Sequence, residues 1–452
     1  EKEMIDFNKY KKLRTTITEN LRIQRGGAES IPYIDVSEAL EDVIARQNHA
    51  VFARRGCGKT LLLHHSVKLL DGTIKSVYLN CEDFKQHTFP NVLIQILDAL
   101  FEELEHHLTG WFGRKKQSKR LIGQIREKLQ NLKNEADEQK QQIKKTTLEA
   151  KNNSLNAGIG VESPKVLLKV DSSSSRAYKA ETERSYHVHE VKLRELDMWL
   201  PDLKKNIREF FNVSNNVKTV FLQIDDFYHL NRADQPFVMD YLHRLCKDLP
   251  LYFKLATLRH ASILYADRQG QPIGAQERHD YQPINIDFTL ADLRKTEEQN
   301  RRILYGFGRL SDLSEQDINN LFKGEGFQRL VLAGGGVPRD FLSLFLEVFD
   351  ATKIAGGDGR IGKDDVRILS KTNFERRIEE LKQDSADGDQ DILIRGIYVL
   401  RKFCIEKMTN VFLIPEQMIQ QQDNMRDLIY RLLDYRIIHN AGVALTHKSR
   451  TG

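Results

Sequence analysis

The chain has 452 residues, 40% of them hydrophobic and 29% charged, with a formal net charge of +5. These fractions are typical of a soluble globular protein with room for two or three domains. Because no apolar run approaches the ~20 residues of a membrane-spanning helix and no signal peptide is recognisable, we expect a cytoplasmic protein without a membrane partner. The four cysteines stand singly rather than in the paired spacings of zinc or redox sites, and we expect them to be reduced structural thiols.

A predicted strand, a glycine-containing turn and a helix occupy residues 51–63, VFARRGCGKTLLL. A turn of this kind closes backbone N–H groups around a phosphate at the positive end of the following helix. Lys59 could then reach the β- and γ-phosphate oxygens and Thr60 could ligate Mg²⁺, which predicts ATP and Mg²⁺ as cofactors. The stretch departs from the phosphate-loop pattern G-x-x-x-x-G-K-[ST] because Ala53 replaces the first glycine. The predicted nucleotide-binding residues are Arg55, Gly56, Cys57, Gly58, Lys59, Thr60 and Leu61.

The segments that follow alternate between strand and helix. The stretch SVYLNCEDF predicts a strand, and residues 91–108 predict a long amphipathic helix. This order predicts an α/β fold with a parallel sheet covered on both faces. The series of motifs resembles the origin-recognition and replication-initiator (ORC/CDC) clade of AAA+ ATPases, with Asn80, Cys81 and Thr88 at matching positions. The resemblance covers the chain outside 113–195 and implies a P-loop AAA+ core, an α-helical lid and a C-terminal winged helix.

A basic segment interrupts this pattern. Residues 113–150 contain eleven basic and five acidic side chains, a net charge of +6 in a chain of +5 overall. Apolar residues recur there at spacings of three and four over about four heptads, as in a coiled coil, and a return helix at 186–211 could bury the stripe. The stripe comprises Ile122, Ile125, Leu129, Leu132, Ala136, Gln139, Ile143, Thr146 and Ala150, and the return helix offers Val188, Val191, Leu196, Leu203 and Ile207. Two interpretations remain open, a solvated helical spacer or a protruding arm that contacts DNA or a partner protein through the basic residues 114–120.

The sheet resumes with KTVFLQIDDF, residues 218–227, an apolar strand that ends in two carboxylates. In a phosphate-loop protein this is a Walker B element, in which Asp225 holds Mg²⁺ through water and Asp226 orients or deprotonates the attacking water. Aspartate is one methylene shorter than the glutamate that most AAA+ proteins have at the second position, which predicts either slow hydrolysis or hydrolysis that needs help from a neighbour. An Asp-Asp pair after a strand also resembles the STAND class of signalling ATPases.

Further side chains match AAA+ positions that respond to the nucleotide. Thr257 and Arg259 end the strand LYFKLATLRH and are candidates to sense the γ-phosphate, and their Thr-x-Arg pattern again resembles STAND proteins. Arg278 matches the arginine finger that completes a neighbouring subunit's site, which implies a homo-oligomer. Arg339, after three glycines and a proline, matches the second sensor arginine of the lid. An ordinary exposed arginine is an open alternative for Arg259 and Arg278, as is a helix-start arginine for Arg339.

The C-terminal residues predict a winged-helix order. A long helix is followed by a strand NVFLI, two helices, a strand RIIH, a turn and a strand VALTH. In DNA-binding winged helices the third helix enters the major groove. That helix, 423–434, carries two arginines against three aspartates, so a protein-binding or regulatory role is an open alternative to DNA binding.

These features divide the chain into five predicted parts. They are an N-terminal helix with the first part of the ATPase core at 1–112, an inserted helical arm at 113–195, the second part of the core at 196–289, the lid at 290–383 and the winged helix at 384–452. The predicted function is an ATP-binding and hydrolysing switch that gates a separately encoded effector protein, in bacterial anti-phage defence. The alternative is a DNA-engaged ATPase similar to replication-initiator or transposition-target proteins.

Overall fold

The computed structural model describes residues 5–21, 33–35, 37–85, 87, 89–108, 115–133, 191–214, 216–268, 270–369, 378–379, 381, 390–409, 411–421 and 423–442. Thr88, residues 134–190 of the predicted arm and the predicted strand VALTH lie outside the described residues.

A five-stranded sheet forms the centre of the fold. Its strands are β1 (His49–Phe52), β2 (Ile74–Asn80), β3 (Thr219–Asp225), β4 (Leu251–Thr257) and β7 (Gln282–Asn285). They lie in the order β2-β3-β4-β1-β7, and every neighbouring pair is parallel. An antiparallel hairpin of β5 (Tyr265–Arg268) and β6 (Gln271–Gly274) precedes β7. The predicted α/β fold with a parallel sheet is confirmed.

Helices cover both faces of this sheet. They are α2 (Ala39–Val43) and α3 (Lys59–Leu69) on one face, and α4 (Asn91–His106) and α7 (Gln235–Cys246) on the other. Because successive side chains of a strand point to opposite faces, Val51 packs on the α3 side and Ala50 on the α4 side. With helices on both faces, β1 and β3 have no solvent side, and all of their residues are buried.

The described part of the predicted arm packs against α4 rather than protruding from the core. It consists of the helices α5 (115–133) and α6 (191–213). They share a hydrophobic core with α4, to which they contribute Ile122, Leu129, Leu132, Leu196, Leu203 and Ile207. Arg126 fixes α5 to α4 through ion pairs with Asp98, Glu102 and Glu105. Burial of the apolar stripe by a return helix, as predicted, is confirmed for these residues. Val191, which was predicted to contribute to this burial from the return helix, is 42% exposed.

A second hydrophobic core combines the predicted lid with the N-terminal helix. Its helices are α1 (Lys11–Asn20), α8 (Leu293–Leu310), α9 (Glu315–Asn320), α10 (Gly326–Ala333), α11 (Pro338–Ala355) and α12 (363–369). Leu13 and Ile17 of α1 are buried in this core beside Phe345. Arg14 adds two hydrogen bonds to the carboxylate of Asp350, both at 2.7 Å. The N-terminal helix therefore packs with the lid, although the sequence analysis grouped it with the sheet.

The described C-terminal residues form the helices α13 (Gln390–Glu406), α14 (Glu416–Gln421) and α15 (Asp423–Asp434). The strands predicted for NVFLI and RIIH are wrong, because none of the described residues in these stretches is in a strand. At the second stretch Arg436 turns the backbone with φ of 65°, and the Ile437 N–H donates to the Leu432 carbonyl oxygen at 2.9 Å, which closes the end of α15. Among the described helices, none has both the length and the apolar character that crossing a bilayer requires.

Candidate functional site

The loop between β1 and α3 forms a cradle of backbone N–H groups at the carboxyl edge of the sheet. Gly56 and Gly58 have φ of 85° and 90°, left-handed conformations that favour glycine. Gly58 caps α3, so the positive end of this helix faces the loop. The Lys59 side chain is 5% exposed, and its Nζ donates to the Ala53 carbonyl oxygen at 3.0 Å. This geometry can hold the phosphate groups of a nucleotide.

Asp225 ends β3 beside this loop. Its buried carboxylate accepts hydrogen bonds from the Tyr78 hydroxyl, at 2.8 Å, and from the Thr60 hydroxyl. Burial and the charge of Asp226 raise the pKa of Asp225 above its ordinary value, so a bound cation would stabilise the ionised form. A hydroxyl and a carboxylate are the hard oxygen ligands that Mg²⁺ prefers. The structure thus brings together the two residues predicted to hold Mg²⁺, and they fit the ion.

Asp226 begins the turn after β3 and has a second carboxylate close to it. Its φ of 51° is uncommon for a residue other than glycine, and such conformations cluster at functional sites. The ligand atoms of Asp226, Glu82 and His229 all lie within 4.8 Å of one another. Glu82 is positioned by Asn80, whose side-chain oxygen accepts the Glu82 N–H at 2.9 Å. The group can orient a water molecule and accept its proton, and the sequence analysis did not predict Glu82 or His229.

A buried ion pair joins the loop to the end of β7. Arg54 donates from Nε and Nη2 to the two Asp287 oxygens at 2.7 and 2.8 Å, and its backbone N–H donates to the same carboxylate at 3.0 Å. Arg54 Nη1 donates to the Gly335 carbonyl oxygen at 2.9 Å and lies 3.0 Å from His439 Nδ1. Burial opposes ionisation of Asp287, but the contacts with Arg54 hold its pKa below the ordinary value. The Cys57 thiol also donates to Asp287, at 3.4 Å.

The lid meets the loop at Arg339, in the first turn of α11. Its backbone N–H donates to the Gly56 carbonyl oxygen at 3.3 Å, and a β-carbon on Gly56 would lie only 2.9 Å from Arg339 Cβ. Burial and the guanidinium charges of Arg436 and Arg55 lower the pKa of Arg339. The predicted sensor arginine is therefore beside the phosphate loop, within a group of positive charges.

A cavity of about 110 Å³ lies between the loop, the lid and the N-terminal segment. Its walls are mostly apolar and include Leu61 of α3, Phe307 of α8 and Ile34 of the N-terminal segment. Gln299 and Asn20 add polar groups to the lining. Mostly apolar walls with a few polar groups, next to a phosphate-binding loop, have the chemistry to contact the base of a nucleotide.

Thr257 and Arg259, the two candidate sensors, have different surroundings. Thr257 is fully buried at the end of β4, and its hydroxyl oxygen lies 2.5 Å from that of Ser262. Arg259 forms an ion pair with Glu277 at 2.7 Å and lies 4.4 Å above the ring of Phe52. The Phe52 ring packs on the α4 face of the sheet, opposite α3. These contacts favour the alternative for Arg259, an ordinary arginine at a strand end.

Arg278, the candidate arginine finger, lies on an exposed turn before β7. Its φ is 67°, and among the described residues its side chain forms no hydrogen bond or ion pair. An exposed arginine in an unfavourable backbone conformation is available to a neighbouring subunit.

Two residues that match the ORC/CDC clade lie at the end of β2 and directly after it. Asn80 positions Glu82, and Cys81 is fully buried.

Besides Glu82 and His229, the sequence analysis missed three residues of the site, namely Arg54, Asp287 and Arg436. Asp287 follows β7, and a carboxylate at the end of a predicted strand is the same signal that identified Asp225. That signal could have predicted Asp287 and, with it, a basic partner in the loop. Arg436 carries no local signal, because it reaches the site only through the packing of α15.

The strand order, the glycine cradle and the Thr60–Asp225 pair have the arrangement that the sequence analysis predicts for a P-loop core. The phosphate-loop strand β1 is separated from the Walker B strand β3 by β4. The two Walker elements therefore end at the same edge of the sheet without being adjacent strands.

No protein-family model matches the chain, and no curated protein matches it. Similar solved structures include the ORC1 protein of Aeropyrum pernix in complex with DNA, with 11% identity, coverage of 94% of this chain and 87% of that chain, and a TM-score of 0.38. A Walker-type ATPase of Pyrococcus abyssi has 12% identity, coverage of 92% and 93%, and a TM-score of 0.36. A RuvB variant of Thermotoga maritima has 12% identity, coverage of 89% and 80%, and a TM-score of 0.30. At these identities the likeness concerns the fold alone, and TM-scores below 0.5 carry no argument about function.

Proposed function

We propose that the chain binds ATP with Mg²⁺ and hydrolyses it. The observation that carries this proposal is the convergence of the glycine cradle, Lys59 and the Thr60–Asp225 pair at one edge of the sheet. In the proposed complex the backbone N–H groups and Lys59 hold the phosphates, and Thr60 and Asp225 hold Mg²⁺. The ion would neutralise charge on the transferred phosphoryl group. The base would contact the apolar residues that line the cavity between loop and lid.

For hydrolysis we propose that Asp226 orients the attacking water and accepts its proton. Glu82 and His229 share its cluster and compensate for the short reach of an aspartate. Arg339 would neutralise negative charge on the γ-phosphate, which ties the position of the lid to the nucleotide. Thr257 and Arg259 as sensors, and Arg278 as a finger in a homo-oligomer, remain predictions.

Nucleotide titrations test this proposal. Lys59→Ala should weaken ATP binding by about tenfold to a hundredfold, because it removes a charge-assisted contact with phosphate. The control is Lys68→Ala on the exposed part of the same helix, which should leave the affinity unchanged. Asp226→Asn should abolish turnover and retain ATP binding. Wild-type affinity in Lys59→Ala would contradict the phosphate loop, and equal loss of binding and turnover in Asp226→Asn would make Asp226 structural.

The proposed output of the switch is the arrangement of the lid and the C-terminal helices around the nucleotide. DNA is the second candidate target, and one feature favours it: Lys116, Lys119 and Arg120 are exposed together at the start of α5, where they can contact a phosphate backbone. The helix predicted to enter the major groove, α15, is instead packed on the core, with Asp427 paired to Arg232.

A charge-reversal experiment tests DNA binding. Lys116→Glu with Lys119→Glu should abolish binding to a long duplex at moderate salt, whereas Lys402→Glu on the exposed face of α13 should not. If the two variants bind the duplex equally well, the α5 surface is excluded as the DNA-binding site. Among the described residues no feature argues for a separately encoded effector, and that partner and a role in anti-phage defence remain predictions.

A further inference from the structure

The C-terminal segment 427–442 docks at the mouth of the candidate nucleotide site. Asp427 pairs with Arg232 at 2.9 Å, outside the phosphate loop. Asp434, at the end of α15, accepts the backbone N–H groups of His260 and of the residue after it, both at 2.6 Å. Because these residues follow β4, which lies beside β1, the contacts bring the end of α15 to the edge of the sheet that carries the phosphate loop.

Arg436 extends from this end to the loop itself. Its Nη1 donates to Asp340 Oδ1 at 2.7 Å, and the two side chains are only 3% and 6% exposed. A β-carbon built on Gly56 would lie 3.5 Å from the same Nη1 and 2.9 Å from Arg339 Cβ. Arginines from the lid and from the C-terminal segment therefore flank one glycine of the phosphate loop.

The backbone of Arg436 gives independent evidence that its side chain matters. Its φ of 65° lies in the left-handed region, where glycine is the favoured residue at the end of a helix. The Arg436 N–H donates to the Leu433 carbonyl oxygen at 3.0 Å, so the residue closes α15 in a strained conformation. A glycine would make the same backbone turn with less strain. The conformation therefore does not explain an arginine, whereas the contacts of its guanidinium do.

We propose that Arg436 is a further nucleotide-binding residue, supplied by the C-terminal segment, that contacts the terminal phosphates of the nucleotide held by the loop. This inference rests on the proposed ATP site. A guanidinium carries its N–H donors in a planar fork and can bind a carboxylate and a phosphate oxygen together. Asp340 then holds the Arg436 guanidinium in this position both before and after the nucleotide binds.

The charge balance of the site supports this assignment. Arg55 and Lys59 belong to the loop, and Arg339 and Arg436 lie beside it. Burial, followed by the charges of Arg436 and Arg55, lowers the pKa of Arg339, although Asp340 opposes this shift. An anion bound among these groups would relieve their mutual repulsion. Since the phosphate chain of ATP is the anion that the loop is shaped to hold, Arg436 gains a contact when ATP is bound.

The experiment compares affinities for ATP, ADP and AMP among four proteins: the wild type, Arg436→Gln, Arg436→Lys and Asp427→Asn. Arg436→Gln should weaken ATP binding by about tenfold to a hundredfold and leave AMP binding unchanged, because the lost contact is to terminal phosphates. Asp427→Asn is the matched control, since it removes a docking ion pair of α15 that is remote from the loop. It should change ATP affinity by less than about threefold.

Two results would overturn the inference. One is a loss of ATP affinity in Asp427→Asn as large as that in Arg436→Gln, which would reduce Arg436 to a docking residue. The other is an equal loss for ATP and AMP in Arg436→Gln. Because Arg436→Gln could disturb folding, Arg436→Lys provides a second variant, which keeps the charge and should give an intermediate ATP affinity. A wild type that fails to bind ATP would instead refute the proposed function itself, so the two failures are distinguishable.

Discussion

Asp287→Asn tests whether the buried contact between the phosphate loop and β7 stabilises the fold. Asp287 accepts three hydrogen bonds from Arg54, which is itself only 5% exposed. Asparagine keeps the shape of the side chain and one acceptor oxygen but removes the negative charge. The substitution therefore leaves the Arg54 guanidinium buried without its counter-charge.

The expected loss of stability follows from this burial. Removing one partner of a buried ion pair costs ~3–5 kcal/mol, and the acceptor that asparagine retains places this case near 3 kcal/mol. For a folded unit of ~150–250 residues, each kcal/mol lowers the melting temperature by about 2–4 °C. The melting temperature of the nucleotide-free variant should therefore fall by roughly 6–12 °C.

An exposed ion pair of the same geometry provides the control. Arg14 and Asp350 also form two hydrogen bonds, both at 2.7 Å, but their side chains are 47% and 38% exposed. Because solvent screens such pairs, Asp350→Asn should cost less than ~1 kcal/mol. Thermal unfolding followed by circular dichroism compares the two variants directly. Equal shifts in melting temperature would refute the argument that burial, rather than hydrogen-bond geometry, determines the contribution.

Cys57, although part of the phosphate loop, should resist a maleimide in the folded protein, because it is 6% exposed and burial raises the pKa of its thiol. Cys404 is more exposed and should be modified first, as mass spectrometry after brief labelling would show; equal rates would contradict this expectation. Gly56→Ala should weaken ATP binding by about tenfold or more, since its β-carbon would press on Arg339 and its φ of 85° disfavours alanine. The control is Gly72→Ala, which should bind ATP as the wild type does, because a β-carbon at Gly72 meets nothing within 4 Å. Unchanged ATP affinity in Gly56→Ala would contradict the prediction and show that the loop tolerates the added β-carbon.

The parts of the site that could be predicted from the sequence lie within contiguous stretches. Lys59 and Thr60 follow a strand and a glycine turn, so local pattern alone places them at the start of a helix. Asp225 is found in the same way, as a carboxylate at the end of an apolar strand. Ala53, the departure from the phosphate-loop pattern, proves to be a buried strand-end residue whose carbonyl oxygen accepts from Lys59, a role that needs no glycine.

The parts that could not be predicted depend on contacts between distant segments. Arg54 and Asp287 are 233 positions apart, and Asp340 and Arg436 are 96 apart. Neither pair has a spacing that a local pattern can reveal. The predicted strand RIIH failed for a related reason. Its apolar residues suggested a strand, but the αL turn at Arg436 closes α15 and directs those residues into packing with the helix.

If Arg436 contacts the phosphates only when α15 is docked, ATP must favour the docked state. A ligand shifts a conformational equilibrium only through contacts that differ between the two states, and Arg436 supplies such a contact. A tenfold contribution to affinity corresponds to ~1.4 kcal/mol of additional docking free energy. Backbone hydrogen exchange in residues 423–442 should therefore slow when a non-hydrolysable ATP analogue is added, and Arg436→Gln should remove this dependence.

The control for this prediction is again Asp427→Asn. It should speed exchange in α15 with and without nucleotide but keep the slowing by the ATP analogue, because it weakens docking without touching the phosphates. Faster exchange on addition of the analogue to the wild type would reverse the sign of the coupling and contradict the reasoning. With the expected sign, any partner that binds the docked face of α15, whether DNA or protein, must compete with ATP. Hydrolysis would then release the helix, and the rate of hydrolysis would set the lifetime of the docked state.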